Sequence, residues 1–143
     1  LPAHTHPHPH PHPHSSVAHV ANHTDVPEDD EAALLAAVAK QPVSVAIEAD
    51  KSAFQLYKSG VLDSAACGKQ LDHGVLVVGY GTDSSLSKDY WKVKNSWGAT
   101  WGEKGYIRMV RGKNMCGVAS QASYPTGAKK YEAPAIKTSV LLG

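Results

Sequence analysis

Leu71-Asp72-His73-Gly74-Val75-Leu76-Val77-Val78-Gly79-Tyr80, followed further on by Tyr90-Trp91-Lys92-Val93-Lys94-Asn95-Ser96-Trp97-Gly98, is the stretch from which the fold is read. Val75 to Tyr80 is apolar on both faces, which predicts a central strand. Tyr90 to Lys94 alternates, as a strand with one wet face does. The connection from Gly81 to Asp89 is polar and nine residues long, compatible with two antiparallel neighbours. That pairing puts His73, just before the first strand, and Asn95, at the end of the second, at the same end of the sheet. A carboxamide oxygen that accepts one imidazole N–H fixes ring orientation and tautomer, and leaves the other nitrogen free to exchange a proton with a nucleophile. Trp97 and Trp101 stand where their rings could shield that bond from water. On spacing alone, His73 reads first as a satisfied histidine at a barrel rim, Asn95 as a strand-terminating turn residue, and the two tryptophans as core packing.

Outward from this stretch the periodicities continue. Tyr106 to Arg111 alternates again. Val43, Val45 and Ile47 alternate with Ser44, Ala46 and Glu48, the period of a half-buried strand. Between them, Ser52 to Lys58 suits one or two helical turns, broken at Gly60, with Val61-Leu62 extended. Asp25 to Glu31 packs five acidic residues around Pro27 before the run Ala32 to Ala39. That pattern starts a helix. Asp30 serves as N-cap, Asp29 and Glu31 meet the positive end of the helix dipole, Leu34, Leu35 and Val38 share one face, and Pro42 ends the helix near Gln41. Several antiparallel strands with one long helix against them predict an α+β domain, mainly antiparallel and barrel-like.

The ends read differently. Residues 1–14 place His4, His6, His8, His10, His12 and His14 between prolines, so an extended, solvated, disordered arm is expected. Neutral imidazoles there could take up Zn²⁺, Cu²⁺ or Ni²⁺ adventitiously, although nothing fixes ligand number; a low-complexity extension with no role is the other reading. Ser15 to Thr24 reads as a weak strand. Within it, Asn22-His23-Thr24 is an acceptor triplet for N-glycosylation in a secretory compartment. Residues 126–143 turn Gly-, Lys- and Ala-rich without a period and read as a loosely held tail. The organisation is therefore an arm over 1–16, one domain over 17–125, and the tail.

Composition narrows the function classes. With 143 residues and 42% hydrophobic content the chain supports one domain and one core. Fourteen basic against 13 acidic residues give a formal charge of +1, which is no basic field for nucleic acid. Nine histidines would make the chain distinctly cationic in an acidic compartment. No stretch approaches the ~20 apolar residues that span a bilayer. The chain begins at Leu1 without an initiator Met or a signal-peptide pattern, which reads as a processed product or a fragment.

Asp72-His73-Gly74-Val75, the loop Asn95-Ser96-Trp97-Gly98-Ala99-Thr100-Trp101-Gly102 and the run Cys116-Gly117-Val118-Ala119-Ser120-Gln121-Ala122-Ser123-Tyr124-Pro125 together resemble the C-terminal half of a papain-like, cathepsin L-type cysteine protease. The likeness runs from about Val17 to Pro125. It implies the family's barrel-like right-hand domain, with His73 and Asn95 catalytic and Trp97 and Trp101 shielding them. It further implies a substrate-pocket wall at Ala46, Leu71, Gly74 and Gln121, beside Asp72, suited to a bulky aliphatic or aromatic side chain. In this family the nucleophilic cysteine lies roughly 130–150 residues before the histidine and asparagine. Only 72 residues precede His73, so the nucleophile is expected to be absent.

Cys67 and Cys116 are the only cysteines. Cys67, six residues before His73, could be weighed as a nucleophile, but sequence neighbours leading into a strand rarely point their side chains together. The resemblance implies instead a disulfide between the two, which in the chain-entropy model would stabilise by roughly 3–4 kcal/mol. It implies no cofactor, protein or peptide substrates in the complete enzyme, an N-terminal half or cystatin-type inhibitors as partners, and secretion or a lysosomal or vacuolar location. Two rival readings stay open: an inactive relative that binds peptides or proteins, and a metal-binding protein working through its histidine-rich arm.

Overall fold

The computed structural model describes residues 18–130. The chain runs β1 (Ala18–His19), β2 (Asn22–Val26), α1 (Glu31–Val38), β3 (Val43–Ile47), α2 (Ser52–Gln55), β4 (Val61–Leu62), β5 (His73–Asp83), β6 (Lys88–Lys94), β7 (Tyr106–Val110), a 3₁₀ turn (Met115–Gly117), β8 (Ala122–Thr126) and β9 (Lys129–Lys130). Seven strands form one sheet in the order β2-β8-β3-β5-β6-β7-β4, antiparallel except for the β4–β7 pair. The architecture is the mainly antiparallel sheet with few helices that the sequence predicts. Among the described residues the sheet is open, however: β2 pairs only with β8 and β4 only with β7, so the expected barrel does not close there.

The core lies on one face of this sheet, under α1 and the loops. Val43, Val45 and Ile47 of β3, Val75 and Val77 of β5, Trp91 and Val93 of β6 and Ile107 and Met109 of β7 alternate inward, the strand period making one face continuous. Leu34 and Val38 of α1, together with Ala37, close over them, while Leu35 is only half-buried. Full burial of each large aliphatic side chain contributes about 1.5–3 kcal/mol.

Helix α1 starts at the expected cap, where the Ala33 N–H donates to Asp30 Oδ1 at 2.8 Å. It ends at Val38, short of Gln41, because the backbone tightens into turns on the Ala37 carbonyl. The acidic start does more than cap. Glu31 Oε2 accepts from Trp91 Nε1 (2.9 Å) and from the Gly112 N–H (2.7 Å), and its other oxygen accepts from the Asn114 N–H. Asp29 accepts from Ser120 Oγ and Asn114 Nδ2. These bonds tie the helix to the loop that carries Cys116.

The β5–β6 hairpin is longer and its connection shorter than the polarity of Gly81 to Asp89 suggests. Gly81 faces Tyr90, Thr82 faces Asp89 and Asp83 faces Lys88, leaving only residues 84–87 as the turn. A Cβ on Gly81 would sit 2.7 Å from Tyr90 Oη, so glycine there lets the aromatic ring lie on the strand. Asp83 closes the turn by accepting from Ser85 and Leu86 N–H groups and is fastened by Arg108 Nη1 at 2.7 Å. These polar residues are cross-strand partners, not loop.

Residues 126–130, read from the sequence as the start of the tail, take part in pairing. Thr126 faces Asn22, and Lys129–Lys130 form a small separate ladder with Ala18–His19. The histidines of the arm, His4 to His14, and the tail beyond Lys130 lie outside the described residues. Among the described residues no helix is long and apolar enough to cross a membrane.

Candidate active site

β3 and β5 pair so that Ile47 faces His73, which makes His73 the first residue of β5. β6 runs antiparallel to β5 and ends at Lys94, so Asn95 emerges beside it. The two residues that strand direction put at one end of the sheet meet there: His73 Nε2 lies 2.8 Å from Asn95 Oδ1. The protonation pattern follows from a second bond, because the Ser96 backbone N–H donates to the same oxygen at 2.8 Å. A backbone N–H must meet an acceptor, so the atom facing His73 is the carbonyl oxygen, and Nε2 must be the donor. In the neutral ring the proton then sits on Nε2 and Nδ1 is left as the base. Asn95 itself is 6% exposed and is held by its own N–H on the Gly105 carbonyl at 2.9 Å.

Trp97 lies over His73 with ring centroids 5.2 Å apart and planes 28° from parallel. It remains 40% exposed, so it covers the imidazole while still meeting solvent. Trp101 meets Trp97 edge-on at 5.4 Å and donates Nε1–H to the Gln55 carbonyl at 3.0 Å. Phe54, fully buried in α2, packs against both indoles at 5.5 and 5.1 Å. The loop that brings these rings together turns at Gly102 in a left-handed conformation (φ +55°), where a Cβ would stand 2.5 Å from the Tyr106 carbonyl oxygen; only glycine fits. Phe54 is the chain's single phenylalanine, on a helical turn too short to show a period, so nothing in the residue pattern marked it as part of the site.

The segment before His73 is gripped by the end of β3. The Asp72 N–H donates to the Ile47 carbonyl (2.9 Å) and Asp72 Oδ1 accepts from the Ala49 N–H (2.7 Å). Glu48, expected on the wet face of β3, is 2% exposed. The strand ends at Ile47, and the chain turns Glu48 inward beneath the 68–70 segment. Lys51, then the Gln70 N–H, hold its carboxyl below the ordinary carboxylate range.

The expected pocket wall divides. Ala46, Gly74 and Gln121 line one cavity of about 250 Å³, joined by Ser44, Ser123 and Asp25. Leu71 is not part of it; a Cβ on Gly117 would stand 2.7 Å from Leu71 Cδ2, which places Leu71 against the 3₁₀ turn. Asp72 borders another cavity, of about 260 Å³, with His73, Trp97 and Gln55. A third groove, of about 610 Å³, runs along Ser44, Gly74, Leu76, Lys94 and Asn95. Beside it Asn95 Nδ2 is buried with no hydrogen-bond partner among the described residues.

Cys67 and Cys116 are joined in a disulfide with Cα atoms 5.0 Å apart. Neither is a thiol, which removes Cys67 as a nucleophile. Asn22 lies exposed on the edge strand β2, its Oδ1 accepting from the His23 N–H at 2.8 Å. Among the described residues no three His, Cys, Asp or Glu side chains are grouped as metal ligands.

Comparison with known proteins places the chain among relatives. A family model described as "Papain family cysteine protease" matches residues 3–126, beginning before the likeness visible in the motifs. Vignain of Ricinus communis is 55% identical over 124 residues, 84% of this chain and 34% of the relative. Cathepsin L of Sarcophaga peregrina is 60% identical over 105 residues, 71% of this chain and 31% of the relative. The bromelain protease from Ananas comosus, solved with the E64 inhibitor, superposes with a TM-score of 0.70 at 48% identity, covering 75% of this chain and 50% of that one. The proform of Amb a 11, a ragweed pollen cysteine protease, gives 0.71 at 45% identity, over 74% of this chain and 33% of that one. The chain spans about a third of the length of these two curated relatives, in their C-terminal region.

Proposed function

This chain belongs to the papain family of cysteine proteases, and from that membership we propose that it is the C-terminal half of a papain-like cysteine endopeptidase, the half that handles the proton. The observation that carries this is the double acceptance at Asn95 Oδ1, from His73 Nε2–H and from the Ser96 N–H, which leaves His73 Nδ1 as a base.

In the complete enzyme the cysteine comes from outside these residues, since both cysteines here share one bridge. His73 Nδ1 takes the thiol proton, and the thiolate attacks the peptide carbonyl carbon. As the C–N bond breaks, the imidazolium returns that proton to the leaving amine, and a thioester remains. Water then attacks the thioester, giving a proton to Nδ1 that passes back to the departing sulfur. Trp97 keeps water from the Nε2–H bond, and Asn95 keeps the ring in the tautomer the cycle needs.

The open groove along Ser44, Gly74, Leu76, Lys94 and Asn95 supports a site completed by further polypeptide. Ala46 and Gly74 give the substrate side an apolar wall suited to a bulky aliphatic or aromatic side chain, with Gln121 as a polar group at its base. Leu71 and Asp72 act from the adjoining segment. Peptides or proteins are the substrates, and an N-terminal half and cystatin-type inhibitors are the partners. The disulfide supports a secreted, lysosomal or vacuolar setting, where the bond persists.

The test is hydrolysis of fluorogenic peptides by the pure chain. No turnover is expected; turnover that His73→Ala abolishes would overturn the assignment, because it would mean that the nucleophile lies within these residues.

A further inference from the structure

We propose that Glu48 is a positioning residue for His73: its buried carboxylate clamps the segment that enters β5 and so fixes where the imidazole stands. The proposal rests on the proton-handling role given to His73 above. Nothing in that chemistry uses Glu48 directly, and its side chain does not border the cavity that His73 and Trp97 share.

A carboxylate at 2% exposure is costly unless it is fully engaged. Here both oxygens are. Oε1 lies 2.9 Å from Lys51 Nζ, and Oε2 accepts the Gln70 N–H at 2.8 Å. The fit leaves no spare volume, since a Cβ on Gly68 would come within 2.3 Å of Oε2. On the backbone side the Glu48 N–H donates to the Cys116 carbonyl at 2.9 Å, so the residue is anchored to the disulfide-bearing turn before its side chain reaches the segment.

Residues 47 to 49 therefore grip the incoming chain at two successive points. Glu48 holds Gln70 through its carboxylate; Ile47 and Ala49 hold Asp72 through backbone groups. His73 is the next residue, and its Nε2 must arrive within hydrogen-bond distance of an amide fixed on a different strand. A segment free to shift at Gln70 would carry that error into the imidazole. The charges facing Glu48 favour its ionised form: Lys51 stands against it, and Asp50, 3.1 Å from the same ammonium, is more exposed.

The readout is solvent exchange of the His73 Nε2 proton in the ¹⁵N-histidine-labelled full chain, which reports the bond to Asn95 without any turnover. Glu48→Ala removes the clamp. Gly68→Ala pushes the carboxylate aside by steric contact while every donor stays in place. Each is expected to speed that exchange about ten-fold or more, the scale of losing a hydrogen bond to a charged group. Backbone amides at Trp91 and Ile107 should exchange as before, which separates positioning from general loosening. The double variant should exchange no faster than Glu48→Ala alone, because without the carboxylate the added methyl has nothing to strike. A Nε2 proton protected in the unaltered chain and within about two-fold of that in both single variants would overturn the Glu48 assignment alone. An unprotected proton in the unaltered chain would overturn the proton-handling reading beneath it.

Discussion

Reducing the Cys67–Cys116 bridge should cost this domain a large part of its stability. The bridge closes a loop across a sequence separation of 49. In the chain-entropy model a loop of that size lowers the entropy of the unfolded chain enough to stabilise the fold by about 4 kcal/mol. Small domains have only about 5–15 kcal/mol in total. On the folded side the bridge joins the 64–67 segment to the 3₁₀ turn, where Cys116 is 1% exposed. The loss should therefore arise mainly in the unfolded state. Urea titration of oxidised and reduced chain at equal pH tests this: the midpoint should fall on reduction, and the slope should rise because the uncrosslinked chain exposes more surface. A stability difference below about 1 kcal/mol, with equal slopes, would refute the reasoning.

Acid should unfold the protein through a small set of carboxylates. Asp83, held by Ser85 and Arg108, has its pKa lowered to about 2, and Glu48, Asp63 and Glu103 are lowered by Lys51, Lys113 and Arg108 respectively. Folded values below unfolded ones mean that the unfolded chain binds protons first. Their contribution is complete above about pH 5 and is lost as pH falls through the folded values, Asp83 reaching down to about 2. Thermal midpoints measured from pH 7 downward should fall in that window, and Asp83→Asn should flatten its lower end; superimposable acid limbs would count against it. Expressed through a eukaryotic secretory pathway, the chain should carry an N-glycan on exposed Asn22, visible as a glycosidase-sensitive mobility shift that Asn22→Gln removes. A secreted chain of unmodified mass would remove that site.

The parts of this molecule that were legible in the sequence are those where one local rule decides. Alternation in Val43–Ile47 and from Tyr90 to Lys94 pointed to strands, and strand direction alone put His73 and Asn95 at one end of the sheet. Asp30 gave a helix cap because capping needs only the residues beside it. What the sequence hid depends on partners far along the chain. Glu48 looks like the polar phase of a strand until Gln70 and Lys51 close around it, and Phe54 looks like an isolated aromatic until two tryptophans arrive from residues 97 and 101. The polar β5–β6 connection misled for the same reason, since Thr82 and Asp89 satisfy each other across the hairpin. Closure of the sheet was likewise beyond reach, because it turns on whether β2 and β4 meet, which neither strand encodes alone.

The most direct measurement is complementation: the chain is co-refolded with a separately produced N-terminal half of a papain-family relative that carries the nucleophilic cysteine, and peptide hydrolysis is followed. Thiol-dependent turnover should appear only with both pieces present and should vanish with His73→Ala. A stable two-piece complex that stays inactive, or one whose activity survives that substitution, would contradict the account.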